Sequence, residues 1–334
     1  MSPFLQIILI RPRNLWKEEK RPVIRHFPMP DFSLLLSLTS VKSTALATTI
    51  PKPATQQQER LRSSRVDRVA SRPSSPQVFS LSNLQSNAYP RSGIQLYRQR
   101  IAALQSGQIH ARLPKDSFMS AWRNATGQPS YDQWRTLLTQ ESQSIARRSP
   151  GPVAVLLGDS LSLWFPSDRL PQSSVWLNQG ISGETTKGVL MRSADLDTTD
   201  PSTIYVMAGV NDLKRGLRDL DILHNISQTL RQLRQRHPQA QIVLQSILPT
   251  RSAQVPNHRI AKINAGLSVI AKRQGAYYLD IHSHFTARDG YLRSDLTTDG
   301  IHLSDRGYAV WQSALNQSEG YLAQSRSRGP IAVR

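Results

Sequence analysis

Val153-Ala154-Val155-Leu156-Leu157-Gly158-Asp159-Ser160 decides the reading of this chain. Five apolar residues in a row, four of them Val or Leu, suit a strand buried on both faces, and the Gly-Asp-Ser that follows ends it in a sharp turn. Further apolar runs follow at Val175–Leu177, Thr203–Met207, Gln241–Leu248 and Ala276–Asp280. Helical patterns separate them, at about Thr185–Ser193, Asp219–Gln235 and Asn257–Lys272, and a last helix is expected over Ser304–Leu315. Strands alternating with helices predict an α/β domain on a parallel sheet of about five strands, whose site lies at the carboxyl ends of the strands.

The chemistry-bearing residues cluster just past those strand ends. Ser160 follows the first strand. Gly180 lies in Asn178-Gln179-Gly180 after the second, and Asn211 in Gly209-Val210-Asn211-Asp212 after the third. Asp299 and His302 stand three apart in Asp299-Gly300-Ile301-His302. A serine hydroxyl is a poor nucleophile without an adjacent base. Residues three apart in a tight turn project to one side, so Asp299 can orient the His302 imidazole that accepts the serine proton. The expected oxyanion donors are the N–H of Ser160, the N–H of Gly180 and the Asn211 side-chain amide. Asp159 and Asp212 read as hydrogen-bonding braces, and Ser162 as a helix residue. Trp164 and Phe165, just past the nucleophile, fit either a substrate pocket or plain core. His282 and His284 suggest a metal pair by type, but no further ligands cluster with them, so loop roles and no metal are expected.

Composition bounds the rest. Residues 1–150 carry 22 Lys and Arg against 8 Asp and Glu, and residues 151–334 carry 20 against 15, so most of the net charge of +19 sits in the N-terminal part. From Pro51 to Gln77 the segment is dominated by Pro, Ser, Gln and Arg. Such a composition buries too little apolar surface to offset its ordering entropy. Residues 1–92 are therefore expected to be a disordered basic leader, residues 93–150 a helical extension, 151–318 the catalytic domain and 319–334 a disordered basic tail. The arginine-rich stretch Arg60–Arg72 has no interleaved aromatics, so no nucleic-acid partner is expected, and at most a weak association of the leader with anionic surfaces. With no cysteine in the chain, disulfides and thiolate chemistry are excluded. No run reaches the roughly 18 apolar residues of a membrane-spanning helix. Phe32–Val41 followed by Ala45-Leu46-Ala47 resembles an export signal. Lys42 and the long basic stretch ahead argue against it, and Met29 offers a second start. The compartment stays open between the cytoplasm and export.

The ordered set Ser160, Gly180, Asn211, His302, with Asp299 ahead of the histidine, resembles the four blocks of the SGNH hydrolases, the GDSL esterase/lipase family. Gly180-Ile181-Ser182-Gly183-Glu184-Thr185-Thr186 is similar to the second block of the subgroup containing platelet-activating-factor acetylhydrolase and small lysophospholipase/thioesterase enzymes. His302-Leu303-Ser304, Gly307-Tyr308 and Trp311 resemble the family's end. The resemblance spans about residues 152–318. It implies a flavodoxin-like three-layer α/β/α fold, no metal, no organic cofactor, and hydrolysis of an ester or thioester of a small molecule, lipid or sugar through an acyl-serine. Acyl transfer with the same residues, or an idle binding domain, are the alternatives.

Overall fold

Strand β2 (Val153–Gly158) is buried along its whole length in a computed structural model that describes residues 9–10, 89–148 and 151–327. The other strands are β1 (Leu9–Ile10), β3 (Val175–Gly180), β4 (Thr203–Met207), β5 (Gln241–Gln245) and β6 (Tyr277–Leu279). Their order is β1-β6-β5-β4-β2-β3. Strands β2 to β6 are parallel, and β1 is antiparallel to β6 with Leu9 opposite Leu279. Taken alone, the five parallel strands run 2-1-3-4-5, the flavodoxin-like order. The order reverses at β2, so a crevice opens beyond its carboxyl end, between it and β4.

The strands alternate between two cores. Val153, Val155, Leu157, Ile204, Val206, Ile242 and Leu244 face one core, shared with Val189 of α5 (Thr186–Arg192), Ile222, Ile226 and Leu230 of α7 (Asp219–Arg236), and Ile260, Ile263 and Leu267 of α8 (Asn257–Arg273). Ala154, Leu156, Tyr205, Met207 and Val243 face the other. There they meet Phe285 of α9 (His282–Phe285) and Tyr308, Trp311 and Leu315 of α10 (Asp305–Ser327). The sheet is thus flanked by helices on both faces, as the strand–helix alternation predicts.

Two expectations need correction. Leu9–Ile10, inside the segment expected to be disordered, forms an edge strand. The open edge of β6 offers unpaired backbone groups, and Leu9 adds an apolar side chain to the second core. The rest of the leader up to residue 88, including the signal-like stretch, lies outside the described residues. The last helix also continues past Leu315 to Ser327, so residues 319–327 are not a disordered tail. Polar Gln317, Ser318 and Glu319 followed by Gly320 read as a stop, yet they have partners in the fold. Glu319 accepts from Tyr205 Oη at 2.8 Å and Ser174 Oγ at 3.2 Å, and Leu322 is fully buried. Residues 328–334 lie outside the described residues.

The helical extension comprises α1 (Gly93–Gln105), α2 (Met119–Trp122) and α3 (Tyr131–Arg148). A reciprocal box starts α3: Gln133 N–H donates to Ser130 Oγ at 3.1 Å, and Ser130 N–H to Gln133 Oε1 at 2.7 Å. Leu96, Trp134, Leu137 and Leu138 pack with Leu163 and Ile181. Arg100 is buried between Glu141, at 3.0 and 2.5 Å, and the carbonyl of Asn178 at 2.7 Å. The outer edge of β3 is thereby closed by the extension, and its carbonyl is capped by a paired cation.

Candidate functional site

The residues expected to react meet at the carboxyl end of β2. Gly158 ends the strand with no room for a side chain: a Cβ there would lie 2.3 Å from the Met207 carbonyl oxygen. Asp159 then caps α4 (Ser160–Leu163), its Oδ1 accepting the Leu161 N–H at 3.0 Å. Ser160 is the first helical residue, so its N–H has no acceptor within the helix. Its Oγ lies 3.2 Å from His302 Nε2. On the other side of the ring, His302 Nδ1 lies 2.7 Å from Asp299 Oδ2.

The turn from Thr297 to His302 sets that second contact. Gly300 has φ +89, and Asp299 Oδ1 accepts the N–H groups of Ile301 at 2.9 Å and His302 at 2.7 Å. Burial acts to raise the Asp299 pKa. The hydrogen bonds from the imidazole and from those two amides outweigh it and hold the carboxyl below its ordinary value. Asp299 is therefore ionised at neutral pH, while one oxygen fixes the backbone and the other the imidazole.

Asn211 sits in α6 (Val210–Lys214), entered through Gly209 at φ +135. Its Nδ2 donates one hydrogen to the Glu184 carbonyl at 3.0 Å, which leaves the second for another acceptor. Gly180 departs from expectation. Its N–H donates to Asn178 Oδ1 at 3.0 Å, and a Cβ there would lie 2.2 Å from Leu163 N. Its smallness lets α4 lie against β3, and its donor is already used. Three residues on, Gly183 takes φ +75 in the turn Ile181–Glu184, and its N–H has no acceptor among the described residues. Arg215 Nη2 donates to the Gly183 carbonyl at 2.8 Å, which, with the bond from Asn211 to Glu184, fixes this turn beside α6. Sequence reading passed over Gly183 because a glycine inside a Ser-Gly-Glu turn carries no mark of which amide is left unpaired.

A buried ion pair supports the arrangement and was also missed. Arg192 and Glu184 pair at 2.5 Å with side chains 1% and 2% exposed. Arg192 Nη2 also reaches the carbonyls of Gly158 at 3.0 Å and Gln179 at 2.6 Å, tying the ends of β2 and β3 together. The Tyr131 hydroxyl of α3 donates to Glu184 Oε1 at 2.9 Å. An arginine at the end of a short amphipathic helix gives no sequence sign that it turns inward.

The remaining residues fall into place around this centre. Asp212 accepts the N–H of Thr186 at 2.8 Å and its hydroxyl at 2.6 Å, bracing the start of α5 as expected. Asp159 is almost fully buried; burial, reinforced by Glu184 and opposed by the Leu161 amide, pushes its pKa to about 7. Ser162 is buried inside α4, and its Oγ has no hydrogen-bond partner among the described residues. His282 Nδ1 contacts Thr286 Oγ1 at 3.2 Å, and no cluster of three metal-ligating side chains occurs among the described residues. No described helix is long and apolar enough to cross a membrane.

Beside Asp299 and His302 lies a cavity of about 670 Å³. Trp164 and Phe165 both line it, and Phe165 also packs edge-on to Trp311, with ring centroids 5.1 Å apart. Phe165 thus belongs both to the core and to the wall of this cavity.

Comparison with known proteins bears on the family and the fold. The model of the GDSL-like Lipase/Acylhydrolase family matches residues 116–310. No curated protein matches the chain. Among solved structures, one described as a platelet activating factor protein from Streptococcus pneumonia shares 23% identity, with a TM-score of 0.50 over 57% of this chain and 93% of that one. A GDSL-like lipase from Bacteroides thetaiotaomicron shares 17% identity, with a TM-score of 0.49 over 57% of this chain and 99% of that one. The first of these likenesses concerns the fold alone. The family match takes in more than half of the chain, from Asp116 in the extension through Ser160 to His302, and on that ground the protein belongs to the GDSL-like lipase/acylhydrolase, or SGNH, family.

Proposed function

We propose that the protein hydrolyses a carboxylic ester or thioester through an acyl intermediate on Ser160. The observation that carries this reading is the continuous line from Ser160 Oγ to His302 Nε2 at 3.2 Å and from His302 Nδ1 to Asp299 Oδ2 at 2.7 Å. Ser160 Oγ attacks the carbonyl carbon while His302 Nε2 takes its proton, and Asp299 stabilises the imidazolium. The oxyanion is held by the N–H of Ser160, the second Nδ2 hydrogen of Asn211 and the N–H of Gly183, which replaces Gly180 in this role. His302 then gives its proton to the leaving oxygen or sulfur. A water deprotonated by His302 attacks the acyl-serine, and the acid leaves with the serine restored.

The test is turnover of p-nitrophenyl esters, from acetyl to palmitoyl, by the full chain and by Ser160→Ala. The variant is expected to lose ~1000-fold or more in kcat with little change in KM. Labelling by a fluorophosphonate should go to Ser160 and vanish in the variant. Equal turnover by the two proteins would overturn the assignment, and absence of both turnover and labelling would leave an idle domain.

A further inference from the structure

Part of the wall of the cavity beside His302 comes from residues that precede the family match. Leu96, Gln99, His110 and Lys115 come from the extension before Asp116; Trp164 and Ser167 come from the segment after α4. None of Ser160, Gly183 or Asn211 contributes to its wall, whereas Asp299 and His302 do.

That placement has a chemical meaning. In acyl transfer the oxyanion points at its donors, and the leaving group lies where the histidine can return the proton. A cavity on the histidine side, apart from the oxyanion donors, is where the alcohol portion of an ester belongs.

The wall also indicates which alcohol. Leu96, Leu163, Phe165, Leu303 and Tyr308 are apolar and buried. The charged groups at its margin have partners: Lys115 pairs with Asp168 at 3.2 Å, Asp305 with Arg169 at 2.6 Å, and Arg91 lies over the Tyr89 ring. The polar groups left for a ligand are neutral. Gln99 uses its amide nitrogen on the carbonyls of Lys115 at 2.8 Å and Ser117 at 3.0 Å, so only its oxygen remains. His110 Nδ1 is buried with no hydrogen-bond partner among the described residues. Burial, with Arg100 nearby, lowers the His110 pKa to about 3, so the ring is neutral at physiological pH.

We infer that the extension builds a leaving-group site, and that the substrate is an ester of a bulky, uncharged, largely apolar alcohol with at most a neutral hydrogen-bonding group. This rests on the ester-hydrolase reading above. The volume of about 670 Å³ accommodates a fused-ring or similarly bulky group.

The test compares 2-naphthylmethyl acetate with ethyl acetate, two esters that share an acyl group. It uses the full-length wild type and two variants that fill the cavity from different segments of its wall, Leu96→Trp and Ser167→Trp. Ser167 is half-buried in a short turn, so it tolerates a larger side chain better than Leu96 does. The wild type is expected to prefer the naphthylmethyl ester. Each folded filling variant should lower kcat/KM for that ester ~10-fold or more and leave ethyl acetate within about twofold. Binding of free 2-naphthylmethanol, followed by fluorescence, should weaken in parallel. If Ser167→Trp lowers both esters equally, or shifts the acyl-length preference instead, the leaving-group assignment is overturned while ester hydrolysis stands. If no ester turns over and Ser160 does not label, the hydrolase reading falls and the assignment with it, even where naphthylmethanol still binds.

Discussion

The Tyr131 hydroxyl, at the start of α3, donates to Glu184 Oε1 at 2.9 Å, and the backbone carbonyl of that same Glu184 accepts from Asn211. One residue therefore joins the helical extension to the turn beside the nucleophile. Tyr131→Phe removes only the hydroxyl, and Glu184 keeps Arg192. The expected outcome is a fall of ~3–10-fold in kcat with little change in KM, and a stability loss of about 1 kcal/mol or less, since Tyr131 is partly exposed. Stopped-flow turnover and urea unfolding measure the two effects.

Arg192→Met should cost far more. It leaves Glu184 buried without its cation and frees the Gly158 and Gln179 carbonyls at the ends of β2 and β3. Breaking a buried pair from one side costs roughly 3–5 kcal/mol. Urea unfolding should report a loss in that range, and a loss under about 1 kcal/mol would mean the pair is not dry.

Gly180→Ala and Asn211→Ala separate packing from catalysis. A Cβ at position 180 meets the backbone of Leu163, so Gly180→Ala should lower Tm markedly. Asn211→Ala should leave a folded protein with kcat reduced ~100–1000-fold. A Gly180→Ala protein of normal Tm would overturn the packing role given to Gly180.

Asp159 carries a pH signature. Its pKa is about 7 in the folded protein against an ordinary 3.8. The native state therefore binds the extra proton between those values, and its contribution to stability falls as pH rises from about 4 to about 7. Asp159→Asn keeps an acceptor for the Leu161 amide and removes the charge. Its stabilising effect should be larger at pH 8 than at pH 5, by on the order of 1–3 kcal/mol. Urea titrations at the two pH values measure it, and equal effects would mean Asp159 titrates normally.

Asp299→Asn tests the opposite sense. Asp299 is held below its ordinary value, so its orienting charge is present at neutral pH and is lost as pH falls through that lowered value. The variant should lose ~100–10,000-fold in kcat, since an amide cannot hold the imidazole in the accepting tautomer. Retention of activity in steady-state assays would remove Asp299 from the mechanism.

The sequence by itself determined the strand–helix alternation, the position of Ser160 after β2, and the Asp299–His302 unit. Each is a local fact: an apolar run of a given length, a glycine where the chain must turn, two side chains three residues apart. Ser160 and His302 could be named from type and order, although 142 positions separate them. What only the tertiary structure decided depends on which groups pair across the fold. The N–H of Gly180 is spent on Asn178 while that of Gly183 has no acceptor among the described residues, and no residue type reveals that difference. Arg192 reads as a surface cation until the carbonyls of β2 and β3 turn it inward. The polar end of α10 reads as a tail until Tyr205 and Ser174 supply partners for Glu319. Leu9–Ile10 is too short to read as a strand alone, and it becomes one because β6 presents an open edge. In each case a distant group supplies the hydrogen bond or the burial, and local pattern carries no record of it.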